Sequence, residues 1–339
     1  MKPRLRALVL AAGRGERLRP LTDFLPKPLL PILGESVAAR TLARLRSAGC
    51  EAAALNLHHL GDAIRRRLGD SAGGLPLVYS PETQLLGTLG ALVPLRDFLA
   101  QAELVVVVNG DSLCRWPLGQ LVRRHLRRRA DATLLLARRA DPDRFGGGVG
   151  VDREGRVVSL RLGDGGGPVV RRRVFAGAQV LAPRLLERIS GPGDLVTGLY
   201  APLIAEGGRL ESVETGRRWH DLGTPRRYLD AALDWARVAW RGSRLQGSAV
   251  VERGARVRRS VLEGGARVER GARVEESLLL PGAAVGRGGG AWRSILGPGV
   301  ILPPGTRVER RLVTVARAGV APGLDDSVVG GLVYTRLDP

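Results

Sequence analysis

Residues 8–29 read LVLAAGRGERLRPLTDFLPKPL. An apolar run over 7–10 ends in a glycine turn (Gly13, Arg14, Gly15), and a basic segment follows. The order is strand, turn, basic segment. Backbone amides in such a turn approach a phosphate or a base with no Cβ in the way. Lys27 is one of two lysines among the 53 basic residues, Lys2 being the other. A chain that writes nearly every cation as arginine yet keeps lysine here calls for a compact ammonium on a flexible stem. That shape suits a single phosphate group better than a planar guanidinium does.

Outward from this stretch, short β-like runs alternate with helical patterns. The spacing of Ala38, Leu42 and Leu45 predicts a helix over 36–48, stopped by Gly49. Strands are expected at 51–57, 75–79 and 104–108, and helices at 61–68 and 89–99. The run 104–108 is apolar throughout, as a strand covered on both faces requires. This β-α-β order predicts an α/β fold, a Rossmann-like, mostly parallel sheet with flanking helices. Ligands in such folds sit beyond the carboxyl ends of the strands, where the Gly13 turn and Asn109-Gly110-Asp111 fall. A closing helix is expected over 224–240, with Thr224 as N-cap, Pro225 in the first turn and Leu229, Leu233, Ala236 and Trp240 on one face.

Beyond residue 240 the rhythm changes. Val251, Val268, Val285 and Leu302 stand seventeen residues apart, as do Val257, Val274, Ala291 and Val308, and again Val261, Leu278, Ile295 and Leu312. Ser260, Ser277 and Ser294 keep the same interval. A fixed period of short β runs punctuated by glycine and proline is the mark of a stacked solenoid. The six-then-eleven spacing inside each unit matches a left-handed parallel β-helix of slightly shortened hexapeptide coils. The expected domains are therefore 1–240 and 241–314, with an unassigned tail over 315–339.

Composition sets further bounds. The chain has 339 residues, ample for two domains. No apolar run is long enough to span a bilayer and no signal-peptide pattern opens the chain. Cys50 and Cys114 are few and far apart, which fits unpaired thiols in a reducing, cytoplasmic setting. The formal charge of +20 raises the question of nucleic acid. The arginines are scattered, however, and the runs 65–67, 123–129 and 171–173 lack interleaved aromatics for base stacking. They read as solvated faces, with no specific nucleic-acid or membrane partner expected.

Two acidic positions carry the remaining chemistry. Asp111 follows a buried strand and a glycine, and Asp221 lies in Trp219-His220-Asp221-Leu222-Gly223-Thr224, just before the closing helix. Taken singly, Asp111 ends a strand and Asp221 forms a turn. Taken with the 13–27 segment on the same sheet, two carboxylates at a phosphate-binding cleft make a Mg²⁺ site, since Mg²⁺ prefers oxygen ligands and keeps several waters.

The glycine-rich stretch through PKP resembles the signature of sugar-1-phosphate nucleotidyltransferases (nucleotide-sugar pyrophosphorylases). The likeness continues in NLHHLGDAI, LLGTLGAL, VVNGD and WHDLGTPRRYLDAAL, over residues 1 to about 240. A following hexapeptide solenoid is similar to the layout of many mannose-1-phosphate guanylyltransferases. The resemblance implies catalytic roles for Arg17, against the pyrophosphate leaving group, and for Lys27, against the phosphates. It implies nucleotide contacts from Gly13, Gly15, Glu82, Gly87 and Thr88, sugar contacts from Gly146 and Gly177, and Mg²⁺ on Asp111 and Asp221. The implied substrates are an NTP, GTP favoured, and a sugar 1-phosphate, with GDP-mannose as the favoured product. The solenoid has no histidine to serve as an acyl-transfer base, so it reads as a structural or oligomerising module, and a homo-oligomer is expected. One departure stands out. Relatives carry Glu-Lys-Pro where this chain has Leu162, Gly163 and Asp164, leaving Arg161 or one of Arg171, Arg172 and Arg173 as substitutes for that lysine. A catalytically weak, nucleotide-sugar-binding regulator is the alternative this departure raises.

Overall fold

The computed structural model describes residues 2–161, 167–239, 244–323 and 326–337. Leu162, Gly163, Asp164 and Trp240 lie outside the described residues. The chain divides into two compact units that do not follow chain order. One comprises residues 1–14 and 38–219; the other comprises 15–37 and 220–339.

The first unit is built on a ten-stranded sheet. Strand β1 (Leu5–Leu10) lies between two parallel neighbours, β2 (Cys50–Leu57) and β4 (Leu104–Asn109), and β3 (Leu75–Pro81) extends the sheet beyond β2. On the other side β6 (Arg171–Leu181) runs antiparallel to both β4 and β5 (Ala132–Ala137), and β7 (Leu210–Thr215) pairs parallel with β5. The sheet is mixed and mostly parallel at its centre, as the β-α-β order predicts. Both faces of its middle strands are covered, because Ala7, Leu8, Val9 and Val105 to Val108 are all inaccessible. One face packs Leu8, Val105, Val107, Leu134 and Leu136 against Leu89, Leu92, Leu95, Leu185 and Leu199.

Helix α1 (Val37–Ser47) buries Ala38, Leu42 and Leu45, the positions its periodicity marks, and α2 (Gly61–Leu68) buries Ile64 and Leu68. The single helix expected over 89–99 is instead two short ones, Gly87–Gly90 and Arg96–Ala100. Pro94 sits between them. It offers no N–H and turns the residue before it away from helical geometry. Helix α3 (Leu118–Arg128) turns Leu121, Val122 and His125 inward.

The second unit carries the closing helix, α4 (Pro225–Ala239), and the solenoid. Thr224 caps α4: its hydroxyl accepts the Arg227 N–H and its carbonyl accepts the Tyr228 N–H. After it the chain winds as three parallel sheets, stacked coil on coil at a spacing of seventeen residues. Val261 pairs with Leu278 and Leu278 with Ile295; Val268 pairs with Val285; Val257 pairs with Val274 and Val274 with Ala291. Val268, Val274, Val285, Ala291, Leu296 and Leu302 fill the core of the prism. The architecture is that of a parallel β-helix of hexapeptide type. Part of the tail forms strands. Leu332–Arg336 pairs antiparallel with the last coil strand, Arg311–Val315, and Ser327–Val329 pairs antiparallel with Leu332–Arg336. A hairpin that breaks the period thus covers the end of that sheet.

Candidate active site

The sequence-marked residues divide between the units. Gly13, Glu82, Gly87, Thr88, Asp111, Gly146 and Gly177 belong to the first. Gly15, Arg17, Lys27 and Asp221 belong to the second.

In the first unit, parallel pairing aligns the ends of β1 and β4. Leu10 faces Asn109 in register, and the Leu10 carbonyl accepts the Gly110 N–H at 2.9 Å. The turn leading to Gly13 and the segment holding Asp111 therefore leave the sheet side by side, at its carboxyl edge. A Cβ on Gly13 would meet nothing within 4 Å among the described residues, so packing against them does not demand glycine there. Gly177 lies on β6, where the register shifts, and a Cβ on it would stand 2.5 Å from Ser112 Oγ. The missing side chain lets β6 close on the residue that follows Asp111.

The 82–88 turn is held from two sides. Gly87 has φ +76°, and a Cβ there would strike the Gly193 carbonyl oxygen at 2.2 Å. That same oxygen accepts the Leu89 N–H at 2.9 Å, and Thr88 Oγ1 accepts the Leu195 N–H at 3.0 Å. The Glu82 carboxylate is buried and turned inward. Its Oε1 accepts from Asn56 Nδ2 at 2.8 Å, and its Oε2 accepts the Leu86 N–H at 3.1 Å. Asn56 Oδ1 in turn accepts the Ala11 N–H at 2.8 Å. Asn56 opens the NLHHLGDAI stretch, but the sequence gives it no role; its further signal is a polar residue inside the apolar strand CEAAALNL.

Gly146 follows the short turn Pro142–Phe145, whose Phe145 ring lies 5.2 Å from that of Trp219. Of the arginines nominated to replace the missing lysine, Arg171, Arg172 and Arg173 are engaged. Arg171 and Arg173 share the Glu214 carboxylate, while Arg172 donates to the Gly148 carbonyl at 3.0 Å and to Ser159 Oγ at 3.0 Å. Glu214 is held below its ordinary value against its own desolvation by the hydrogen bonds and charges of Arg171 and Arg173. Cys114, buried, has its thiol pushed up to about 12 by desolvation, so it remains a neutral, unreactive apolar group.

In the second unit, Gly15 has φ +71°, and a Cβ there would stand 3.2 Å from Lys27 Cε and 2.8 Å from Thr22 Cγ2. The lysine stem thus lies across the bare backbone of the turn. Thr22 Oγ1 donates to the Gly15 carbonyl at 2.9 Å and fixes the loop. Arg17 and Asp221 converge on Gly223: a Cβ at Gly223 would lie 3.0 Å from Arg17 Nη2 and 3.0 and 3.1 Å from the two Asp221 oxygens. Asp221 also forms an ion pair with Arg227, which stands in WHDLGTPRRYLDAAL with no role assigned from the sequence. His220 bonds Asp234 at 3.1 Å.

Among the described residues, no group of three or more His, Cys, Asp or Glu side chains forms a ready-made metal centre. Asp111 and Asp221 each offer the hard oxygen donors that suit Mg²⁺, which commonly takes one or two carboxylates and completes its shell with phosphates and water. The donor chemistry fits that ion. No helix among the described residues is long and apolar enough to cross a membrane.

Comparison with known proteins gives the context. Residues 6–161 match the family described as nucleotidyl transferase, and residues 236–314 match the GlmU-like C-terminal hexapeptide family. A mannose-1-phosphate guanylyltransferase of Mycobacterium tuberculosis is 34% identical over 260 residues, 74% of this chain and 71% of that protein. The catalytic subunit beta of mannose-1-phosphate guanylyltransferase from Drosophila pseudoobscura pseudoobscura is 30% identical over 227 residues, 66% of this chain and 60% of that protein. The crystal structure of HddC from Yersinia pseudotuberculosis superposes with a TM-score of 0.57 at 21% identity, covering 68% of this chain and 99% of HddC. HddC is also solved in complex with GMP-PN. At that identity the likeness speaks for the fold alone.

Proposed function

The chain belongs to the nucleotidyl transferase family, and from that premise we propose that it joins an NTP to a sugar 1-phosphate, giving an NDP-sugar and pyrophosphate. The substrates favoured are GTP and mannose 1-phosphate, on the names of the relatives. A phosphate oxygen of the sugar 1-phosphate attacks the α-phosphorus of the NTP. A new P–O bond forms as the bond to pyrophosphate breaks. Both substrates are anions, so the barrier lies in bringing them together and stabilising charge on the leaving group. Alignment and neutralisation serve this reaction, and no side-chain nucleophile is needed.

The observation that carries this reading is the Gly15–Lys27 contact. The turn keeps its backbone bare, and the one lysine of this segment is laid across it. Lys27 supplies a point charge to the phosphates, Arg17 stabilises the departing pyrophosphate, and the open flank of Gly13 admits the nucleotide. The 82–88 turn reads the base, and Gly146 and Gly177 lie along the sugar, Gly146 with an open flank and Gly177 through its backbone. Mg²⁺, held by Asp111 and Asp221, would add charge neutralisation on the phosphates. We assign the protein to the cytoplasm and to a homo-oligomer built through its solenoid.

The test is a pyrophosphate-release assay across the four NTPs and a panel of sugar 1-phosphates, on the wild type and on Lys27→Arg. The variant keeps the charge but brings a wider, planar head. It is expected to lose on the order of a hundredfold in kcat, with an unchanged melting temperature. Nucleotide binding without turnover for any pair would favour the regulatory reading. Wild-type rates in Lys27→Arg would remove Lys27 from the mechanism.

A further inference from the structure

The turn ending at Gly13 and the turn over 82–88 are separate loops in sequence, yet one buried hydrogen-bonded chain joins them. The Ala11 N–H donates to Asn56 Oδ1, Asn56 Nδ2 donates to Glu82 Oε1, and the Leu86 N–H donates to Glu82 Oε2. The 82 position is tied once more by His58 Nδ1, 2.9 Å from the Glu82 carbonyl oxygen. Asn56 is 4% exposed and Glu82 7%. Every distance in the chain from Ala11 to Leu86 falls between 2.8 and 3.1 Å.

Glu82 thus spends both carboxylate oxygens inside the protein. Its negative charge is met by an amide and a backbone N–H, away from solvent, where such bonds are strong and costly to leave unmade. Asn56 bridges the two loops. Its side chain has one acceptor and one donor side, and the acceptor is taken by the first loop while the donor meets the second. No other uncharged residue of that length offers both at once.

We propose that Asn56 is a positioning residue. It sets the bare amides beside Gly13 and the backbone of the 82–88 turn in one fixed relation, so that base recognition and phosphate approach are coupled. The inference rests on the nucleotidyl transfer proposed above. It makes Glu82 an internal strut whose effect on the base passes through the shape of the turn.

A reversed pair tests it. Asn56→Asp puts a second carboxylate against Glu82, and like charges at that distance repel. Asn56→Asp combined with Glu82→Gln restores every bond with the polarity of the central one reversed. The new carboxylate at position 56 then accepts both the Ala11 N–H and the new side-chain amide at position 82. The amide oxygen at position 82 accepts the Leu86 N–H. In the full-length protein, Asn56→Asp is expected to cut kcat/KM at least about tenfold. KM for the NTP should rise more than KM for the sugar 1-phosphate, and preference among NTPs should narrow. The double variant should recover most of the loss in all three measures. Failure of the double variant to improve on Asn56→Asp overturns the proposal, as does an equal rise in both KM values. Should Asn56→Asp fail to fold, thermal unfolding of the double variant reads the coupling: a folded double variant supports it and an unfolded one overturns it. A wild type inert with every substrate pair refutes nucleotidyl transfer instead. In that event amide hydrogen exchange at Ala11 and Leu86, slow in the wild type and double variant but fast in Asn56→Asp, still upholds the buried chain, and equal exchange in all three sinks it.

Discussion

His125 shows how a buried residue with no assigned role in the proposed reaction sets a pH limit. It is buried on α3, shares a 3.0 Å hydrogen bond between its Nδ1 and Thr133 Oγ1, and is pushed down to about 4. Desolvation is the main cause, the Arg184 charge adds to it, and the Asp131 carboxylate opposes it. The unfolded chain titrates this imidazole near 6.5, so between about pH 6.5 and 4 the unfolded state binds the proton and the folded state does not. Stability is therefore full above that window and falls through it as pH drops, by on the order of 3 kcal/mol from this residue. Urea unfolding of the wild type and His125→Gln, at pH 7.5 and 5, checks this. The variant should lose less stability on acidification than the wild type, and parallel losses would refute it. Single residues differ widely in how plainly the sequence announces them. Lys27 stands out because its neighbours are arginines. Asn56 carries a faint signal, a polar side chain in an apolar strand. Arg227 lies inside WHDLGTPRRYLDAAL, but its pairing with Asp221 depends on the first turn of α4, which the motif does not single out.

Among the elements, the solenoid is the most legible, because a period repeats its own evidence. The serines illustrate what the period builds. Ser277 Oγ accepts the Ser294 N–H at 3.1 Å and donates to the Glu275 carbonyl at 2.8 Å. Ser260 does the same service for Ser277, and Ser294 for Arg311. Each hydroxyl ties one coil to the next at a buried corner. Ser277→Ala leaves the Ser294 N–H without that acceptor, at a cost of about 1–3 kcal/mol. Stability in stacked repeats passes between nearest neighbours, so the loss should appear as a lower urea midpoint read by Trp292 fluorescence. Arg273→Ala, on the exposed face of the same coil, should leave the midpoint unchanged. Equal midpoints for wild type and Ser277→Ala would show the ladder to be idle. The elements that resisted sequence reading are those where a local feature overrides the pattern. Pro94 splits the helix expected over 89–99. The tail hairpin runs antiparallel to coils that are otherwise parallel, so the seventeen-residue rule stops being informative at Val315.

At the scale of the whole molecule, the segment bearing Lys27 packs with the second unit, and chain order conceals this. The Gly34 N–H donates to Glu263 Oε2 at 2.8 Å, a Cβ on Gly34 would touch Gln246 Oε1 at 3.0 Å, and Tyr228 on α4 donates its hydroxyl to the Pro31 carbonyl at 2.7 Å. The sequence does hold a trace of this arrangement. Glu263 and Gln246 occupy the repeat column that continues as Leu280 and Gly297, so two polar residues stand where later coils have none. Tyr228 is pushed well above its ordinary value, first by burial and then by the Glu263 charge, and so stays a neutral donor. One coil of the solenoid thus anchors residues 15–37. Glu263→Ala, which removes the acceptor for Gly34, should loosen that segment and lower turnover on the order of tenfold, although no solenoid residue is assigned to substrate. Trypsin should then cut faster after Arg17. Glu263→Gln keeps an acceptor oxygen and should remain near wild type. Ser277→Ala, which weakens the solenoid without touching 15–37, should leave turnover intact at temperatures where the protein is folded. Unaltered kinetics and cleavage in Glu263→Ala would mean that the segment holds its shape by itself, and the anchoring role would fall.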